Sequence, residues 1–277
     1  MRKKLFKKKF LSVALALVLS LTFAATSYAH GYTYWTSNTK VGVGHFAYGE
    51  TAGDSDSGTN YSLVQRFNYH NNLFLLSLRG SFGYVPATYT GATQGGTATT
   101  GNVHYALNNF SVGAGIDPRL MNGLMQNELY LSLGDMNHDF MAANSSFSGG
   151  ATGYDESYQV KYLSLTYKNI YAFTPKVSNV FKLEYLDGFN GTATTKGLHG
   201  FIGDYFIGNN LEFNLSGENG YTVAEGARYR LTDNLSLVGD IYYSALFFKH
   251  SNTSNVFYEP SSMTHQYGVQ IGVHYDF

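Results

Sequence analysis

The sequence predicts an all-β fold, a transmembrane antiparallel up-and-down β-barrel of about 12 strands, with 10 or 14 as the alternative counts. Three observations carry that expectation: a strand-forming composition, an export-type leader, and alternating segments joined by alternately short and long connectors. Of 277 residues, 31 are glycine, 24 tyrosine and 20 phenylalanine, and only 13% are charged. Such a chain is too apolar for disorder and better suited to short strands than to helices. Cysteine is absent, which excludes disulfides, thiolate zinc sites and cysteine nucleophiles. No Pro- or Ser-rich linker divides the chain, so residues 30–277 read as one domain.

The leader comes first. Arg2, Lys3, Lys4, Lys7, Lys8 and Lys9 precede an apolar run from Phe10 to Ala25, and the small residues Ser27 and Ala29 stand at −3 and −1 of a cleavage site. Residues 1–29 are therefore expected to be a cleaved signal peptide, the mature chain starting at His30. An uncleaved anchor helix is the alternative, but the run falls short of the ~20 residues that a span needs. Loss of those six cations leaves the 19 acidic side chains in clear excess, which argues against nucleic acid as a partner.

No later apolar run approaches the ~18 residues of a membrane helix, so strands must do any crossing. The last twelve residues alternate cleanly. Tyr267, Val269, Ile271, Val273, Tyr275 and Phe277 share one face, and Gln266, Gly268, Gln270, Gly272, His274 and Asp276 the other. A strand that ends the chain on Phe277, with Tyr275, Val273 and Ile271 at every second position before it, resembles the C-terminal assembly signature of bacterial outer-membrane β-barrels. That resemblance implies outer-membrane location, both termini on the periplasmic side, contact with outer-membrane lipids and lipopolysaccharide, and reading of Phe277 by the barrel-insertion machinery.

The remaining segments follow in order: Lys40–Tyr48, Thr59–Asn68, Leu73–Tyr84, Val103–Ile116, Leu124–Met136, Tyr158–Tyr171, Val177–Leu186, Leu198–Ile207, Leu211–Gly217, Thr222–Leu231, Leu235–Phe248 and His265–Phe277. Short turn-like connectors follow the second, fourth, sixth, eighth and tenth of these, at Asn68–Asn72, Asp117–Arg119, Phe173–Lys176, Gly208–Asn210 and Thr232–Asn234. Longer polar stretches lie between them, at Gly49–Gly58, Pro86–Asn102, Asn137–Ser157, Asp187–Gly197 and Lys249–Thr264, and only the connector at Asn219-Gly220 is tight where a long one is due. A water-soluble sandwich would share the alternation but not this regular change of connector length. Aromatic residues near segment ends, Tyr61, Phe67, Tyr84 and Tyr243 among them, suit an interfacial girdle, and Trp35 reads as an interfacial anchor.

Function must come from the inward face, since lipid claims the outward one. Arg66, Arg79, Glu128, Lys182, Glu184, Asp204, Glu212, Arg228, Arg230 and Asp240 fall opposite the apolar face and are the pore-lining candidates. Arg228 and Arg230 are expected to face Glu212 on the preceding strand and Asp240 on the following one. Glu225 alone breaks phase, so a bulge re-aims it or the register differs there. About twelve strands leave a narrow lumen, which predicts a passive diffusion channel for small polar solutes. The mixed signs imply little preference between anions and cations. The alternative is a non-conducting barrel, its charges paired into a plug, that acts as an adhesin or structural outer-membrane protein.

Catalysis finds little support. None of the nine histidines has a serine two positions on, the pair that barrel lipases carry. His138-Asp139 with Asp54 and Asp56 match barrel proteases of the omptin type only in residue type, so no catalytic residue is assigned. Asp54–Asn60 offers alternating oxygen ligands but has Gln65 where a calcium loop has glutamate. No metal or cofactor is expected, and composition leaves the oligomeric state open.

Overall fold

The computed structural model describes residues 33–277 apart from 93–95, 121–122, 197–199, 203–204, 208–210, 216 and 253–257. The leader and Asp204 lie outside the described residues. Ten antiparallel strands close a barrel: β1 (Thr33–Glu50), β2 (Ser55–Asn71), β3 (Phe74–Ala92), β4 (Ala98–Ile116), β5 (Met125–Met141), β6 (Asp155–Ala172), β7 (Val177–Lys196), β8 (Glu218–Arg230), β9 (Leu235–Phe248) and β10 (Ser262–Asp276). Each pairs with its neighbour in sequence, and β10 pairs with β1 from Thr36↔Asp276 to Glu50↔Ser262, which removes the free edges. Two short strands join the same sheet outside the barrel, Arg119–Leu120 on β5 and Leu211–Leu215 on the far end of β7.

Two expected crossings are therefore not crossings. Leu198–Ile207 holds a small hairpin, Gly200–Ile202 against Tyr205–Ile207, and Leu211–Gly217 holds the strand that pairs with Gly191–Thr195. Both are shorter than the ~9–11 residues that a tilted strand needs to span a bilayer. The turn expected at Gly208–Asn210 lies outside the described residues. Asn219-Gly220 is no connector but the start of β8, paired with Asp187 and Leu186. With that excursion folded aside, β7 and β8 become neighbours and the rhythm of the connectors is restored.

The end at which β1 begins and β10 ends, called the terminus end, holds the tight turns, at Asn72-Leu73, Phe173–Lys176 and Leu231–Asn234, with residues 117–124 as the longest link. Asn72 adopts φ 54°, the left-handed conformation that asparagine tolerates in such a turn. The opposite end, called here the loop end, carries the longer links. Much of what reads as loop there is strand, since β2 begins at Ser55 and β3 and β4 pair out to Ala92↔Ala98.

Those extensions invert the polarity of the strands. Along β6 the outward residues change from Gln159 and Lys161 to Leu163, Leu165 and Tyr167, while the inward ones change from Tyr158, Val160 and Tyr162 to Ser164, Thr166 and Lys168. β3, β4 and β5 do the same, for example from Leu129, Leu131 and Leu133 outward to Asp135, Asn137 and Asp139. An apolar outer belt around a polar lumen thus gives way, at the loop end, to a polar outer wall around an apolar core. The one register shift in the barrel lies between Lys161 and Tyr162, at the changeover.

Candidate functional site: the barrel lumen

Mid-barrel, inward side chains enclose a cavity of about 250 Å³. Arg66, Arg79, Lys182, Glu184, Arg228 and Asp240 line it, as the sequence leads one to expect, together with Lys40 and Lys168, which sequence reasoning missed. Glu128 is buried behind Lys168, whose Nζ donates to its Oε1 at 2.6 Å. Glu184 accepts from both Lys182, at 2.7 Å, and Arg79, at 3.1 Å, while Lys40 pairs with Asp240. Arg66 stacks its guanidinium 5.6 Å from the Tyr130 ring centre. Buried carboxylates that each hold a cation are what a low-dielectric lumen requires.

Three expectations change. Arg230 is exposed at the strand end and does not line the cavity. Glu212 sits exposed on the outer strand Leu211–Leu215, so it faces neither Arg228 nor Arg230. Arg228 pairs across the ladder with Ser178 and Val238, and Asp240 opposes Gly226, because the strand before β8 is β7. Glu225 points outward in register between Phe181 and Ile241, its carboxylate held by the Asn179 amide on the adjacent strand. Neither a bulge nor a slip is involved.

The loop end of the cavity is filled. Toward the loop end Phe46, Val85, Val103 and Tyr105 form one buried cluster and Tyr158, Val160, Tyr162 and Phe248 another, all 0–6% exposed. Above them Tyr48 of β1 and Tyr158 of β6, from opposite walls, bring their hydroxyls within 3.3 Å. The Tyr158 hydroxyl lies in hydrogen-bond contact with both Glu156 and Glu259, and Tyr48 donates to Glu50 at 2.7 Å. Burial raises all three carboxyls above the usual range, Glu50 to about 8, with the charge of Glu259 adding to the shift. Asp56, under the Tyr105 hydroxyl, is pushed up to about 6 by burial. Toward the terminus end His70 contacts Asp117 at 2.7 Å, Gln126 donates to the same carboxylate at 2.8 Å, and Arg119 donates to the Tyr34 hydroxyl.

The loop-end groups named for catalysis and for metal are dispersed. His138 faces inward, and Asp139 faces outward and accepts from Ser157 at 2.6 Å. Asp54 accepts from the Ala92 amide while Asp56 faces Tyr105, and among the described residues no three His, Asp or Glu side chains converge to hold a metal ion. At the terminus end Trp35 is exposed beside Tyr69, 4.8 Å between ring centres, and its carbonyl accepts from the Phe277 amide at 2.9 Å.

A closed antiparallel barrel with an apolar outer belt and an ion-paired lumen defines the class: this is a β-barrel of the outer-membrane type. The outer membrane protease OmpT of Escherichia coli matches with a TM-score of 0.57 and 12% identity over 88% of this chain and 97% of that one. The translocator domain of the autotransporter NalP of Neisseria meningitidis matches at 0.46 and 12% identity over 96% and 97% of the two chains. The outer membrane protein OprG of Pseudomonas aeruginosa matches at 0.34 and 13% identity over 90% and 98%. No protein-family model matches the sequence, and no curated protein sequence matches it. At such identities the likeness is one of fold, and these barrels serve different purposes.

Proposed function

We propose that this protein is a surface barrel of the bacterial outer membrane that works through its projecting loop end, as an adhesin or structural protein, with a lumen closed to passive flow. In this reading the termini lie in the periplasm, the belt meets outer-membrane lipid and lipopolysaccharide, and the insertion machinery reads the strand ending in Phe277. One observation carries it: the loop-end half of the lumen is a dry core, with Val85, Val103, Val160 and Tyr162 each 0% exposed. Water and ions have no path through side chains packed at that density. A small-solute channel is the second reading, favoured by the cavity and its charged lining. Planar-bilayer recording of the purified protein separates them. Silence over many verified insertions is expected, whereas stable unitary steps would establish the channel and overturn the closed barrel.

A further inference from the structure

The mid-barrel charges do not balance. Six cations face the lumen, Lys40, Arg66, Arg79, Lys168, Lys182 and Arg228, against three carboxylates, Glu128, Glu184 and Asp240. Every carboxylate is engaged: Asp240 by Lys40, Glu128 by Lys168, and Glu184 by Arg79 and Lys182. Arg66 and Arg228 are left without a carboxylate within 4.0 Å among the described residues. Asp276, the carboxylate that acts most strongly on Arg228, is engaged by His274 at 2.9 Å. Lys168 lies within electrostatic reach of both arginines.

One further fact points to a missing acceptor. The Nε–H donor of Arg228, which lines the cavity, is buried with no partner among the described residues. An unpaired buried guanidinium is costly, and the remedies are a counter-ion or water. The space is sufficient, since the cavity of about 250 Å³ would hold a tetrahedral oxyanion together with several waters. A route exists as well. Arg228 is half-buried and Arg230, two positions nearer the strand end on the same face, is exposed, so a file of two guanidinium groups leads inward from solvent at the terminus end.

We propose that the lumen holds a small-oxyanion site, formed by Arg66, Lys168 and Arg228 and entered past Arg230. The ligand class follows from the donors. Guanidinium groups offer forked N–H pairs that match phosphate, sulfate or carboxylate, whereas a monatomic halide engages only one point of the fork. Glu128, beside Lys168, sets a limit: the cluster carries a net +2, which suits an anion of one or two charges. The site stands beside either reading of the lumen, because an anion can be bound with or without onward passage.

The test uses the full mature barrel folded in detergent micelles, with inorganic phosphate as probe. Calorimetric titration at constant ionic strength, with chloride replaced stepwise, is expected to show saturable binding of one phosphate per chain and a parallel rise in unfolding temperature. Arg66→Gln and Arg228→Gln should each weaken binding about tenfold, and together abolish it, while the unheated barrel keeps its fast gel mobility. Arg66→Lys and Arg228→Lys, which keep charge but lose the fork, should fall between, and they replace the glutamine variants should those fail to fold. Absence of saturable heat, equal effects of chloride and phosphate, or undiminished binding by the double variant would each overturn the site. Bilayer conductance is read separately, so a closed barrel that binds phosphate and an open one that does not remain distinguishable.

Discussion

Lys168 shows what one side chain on an inward face can decide. On β6 it follows Tyr158, Val160 and Tyr162 in phase, so a simple apolar-out rule assigns its face to lipid and misses it. Its place is fixed instead by Glu128, whose side chain is 2% exposed and whose charge it neutralises. Lys168→Met would leave that carboxylate buried, with His70, Arg66 and Arg228 in electrostatic reach but none of them paired to it. The expected loss is about 3 kcal/mol of unfolding free energy, at the lower end for a broken buried pair because those groups remain. Adding Glu128→Gln should recover most of it. Urea unfolding of the two variants in detergent would check this; equal stability of the single variant and the wild type would show that the pair does not matter. Lys40 was missed for a different reason, since it stands at the first residue of its alternating segment, where phase is hardest to assign.

At the scale of the strand, the inversion of polarity explains which parts of the sequence are easy to read. β10 lies largely within the belt and keeps one phase from Tyr267 to Phe277, so its two faces are plain from residues alone. β3 to β6 change phase where they leave the belt, and their extensions look like loops. The excursion between β7 and β8 misleads in the opposite sense: Leu211, Phe213 and Leu215 alternate as a membrane strand would, but they pack against the loop-end core beside Tyr158 and Val160. The seam between β1 and β10 depends on inward glycine. A Cβ built on Gly272 would overlap the carbonyl oxygen of Thr39 on β1, to which no flexible side chain contributes. Gly272→Ala should therefore hinder closure, lowering the fraction of heat-modifiable barrel on a gel, while Gly239→Ala, whose nearest neighbour is 3.5 Å away, should not. Equal yields from the two variants would mean that the seam adjusts more freely than the geometry implies.

For the whole molecule, the loop end should respond to pH. Glu50, Glu156 and Glu259 crowd around Tyr48 and Tyr158, with Asp54 and Asp56 of the β1–β2 corner nearby, and no cation among the causes that shift Glu50. Glu50 titrates near 8 in the folded barrel against an ordinary 4.5. A carboxyl with a raised folded pKa binds its proton more tightly when folded, so its contribution is complete below about 4.5 and is lost as pH rises toward 8. Asp56, near 6, acts in the same direction over a narrower window. Amide protection at the loop end, around Glu50, Glu156 and Ser262, is expected to be higher at pH 5 than at pH 8. Glu50→Gln should flatten the difference, and protection that is independent of pH in the wild type would count against the clustered carboxyls.

The class of fold, the outward face of β10 and the inward direction of most mid-barrel charges follow from period-two alternation, because a lipid belt punishes every misplaced charge and so writes itself into the residues. The closure number, the pairing of β7 with β8 and the dry core above the cavity were decided only by tertiary structure. Ten strands close because Leu198–Gly217 folds aside, and whether an apolar face meets lipid or core depends on how high its strand stands in the membrane. Local periodicity carries no record of height, and none of which cation meets which carboxylate across the lumen. The imbalance left at Arg66 and Arg228 could therefore be seen only once ten strands had brought all nine charges into one space.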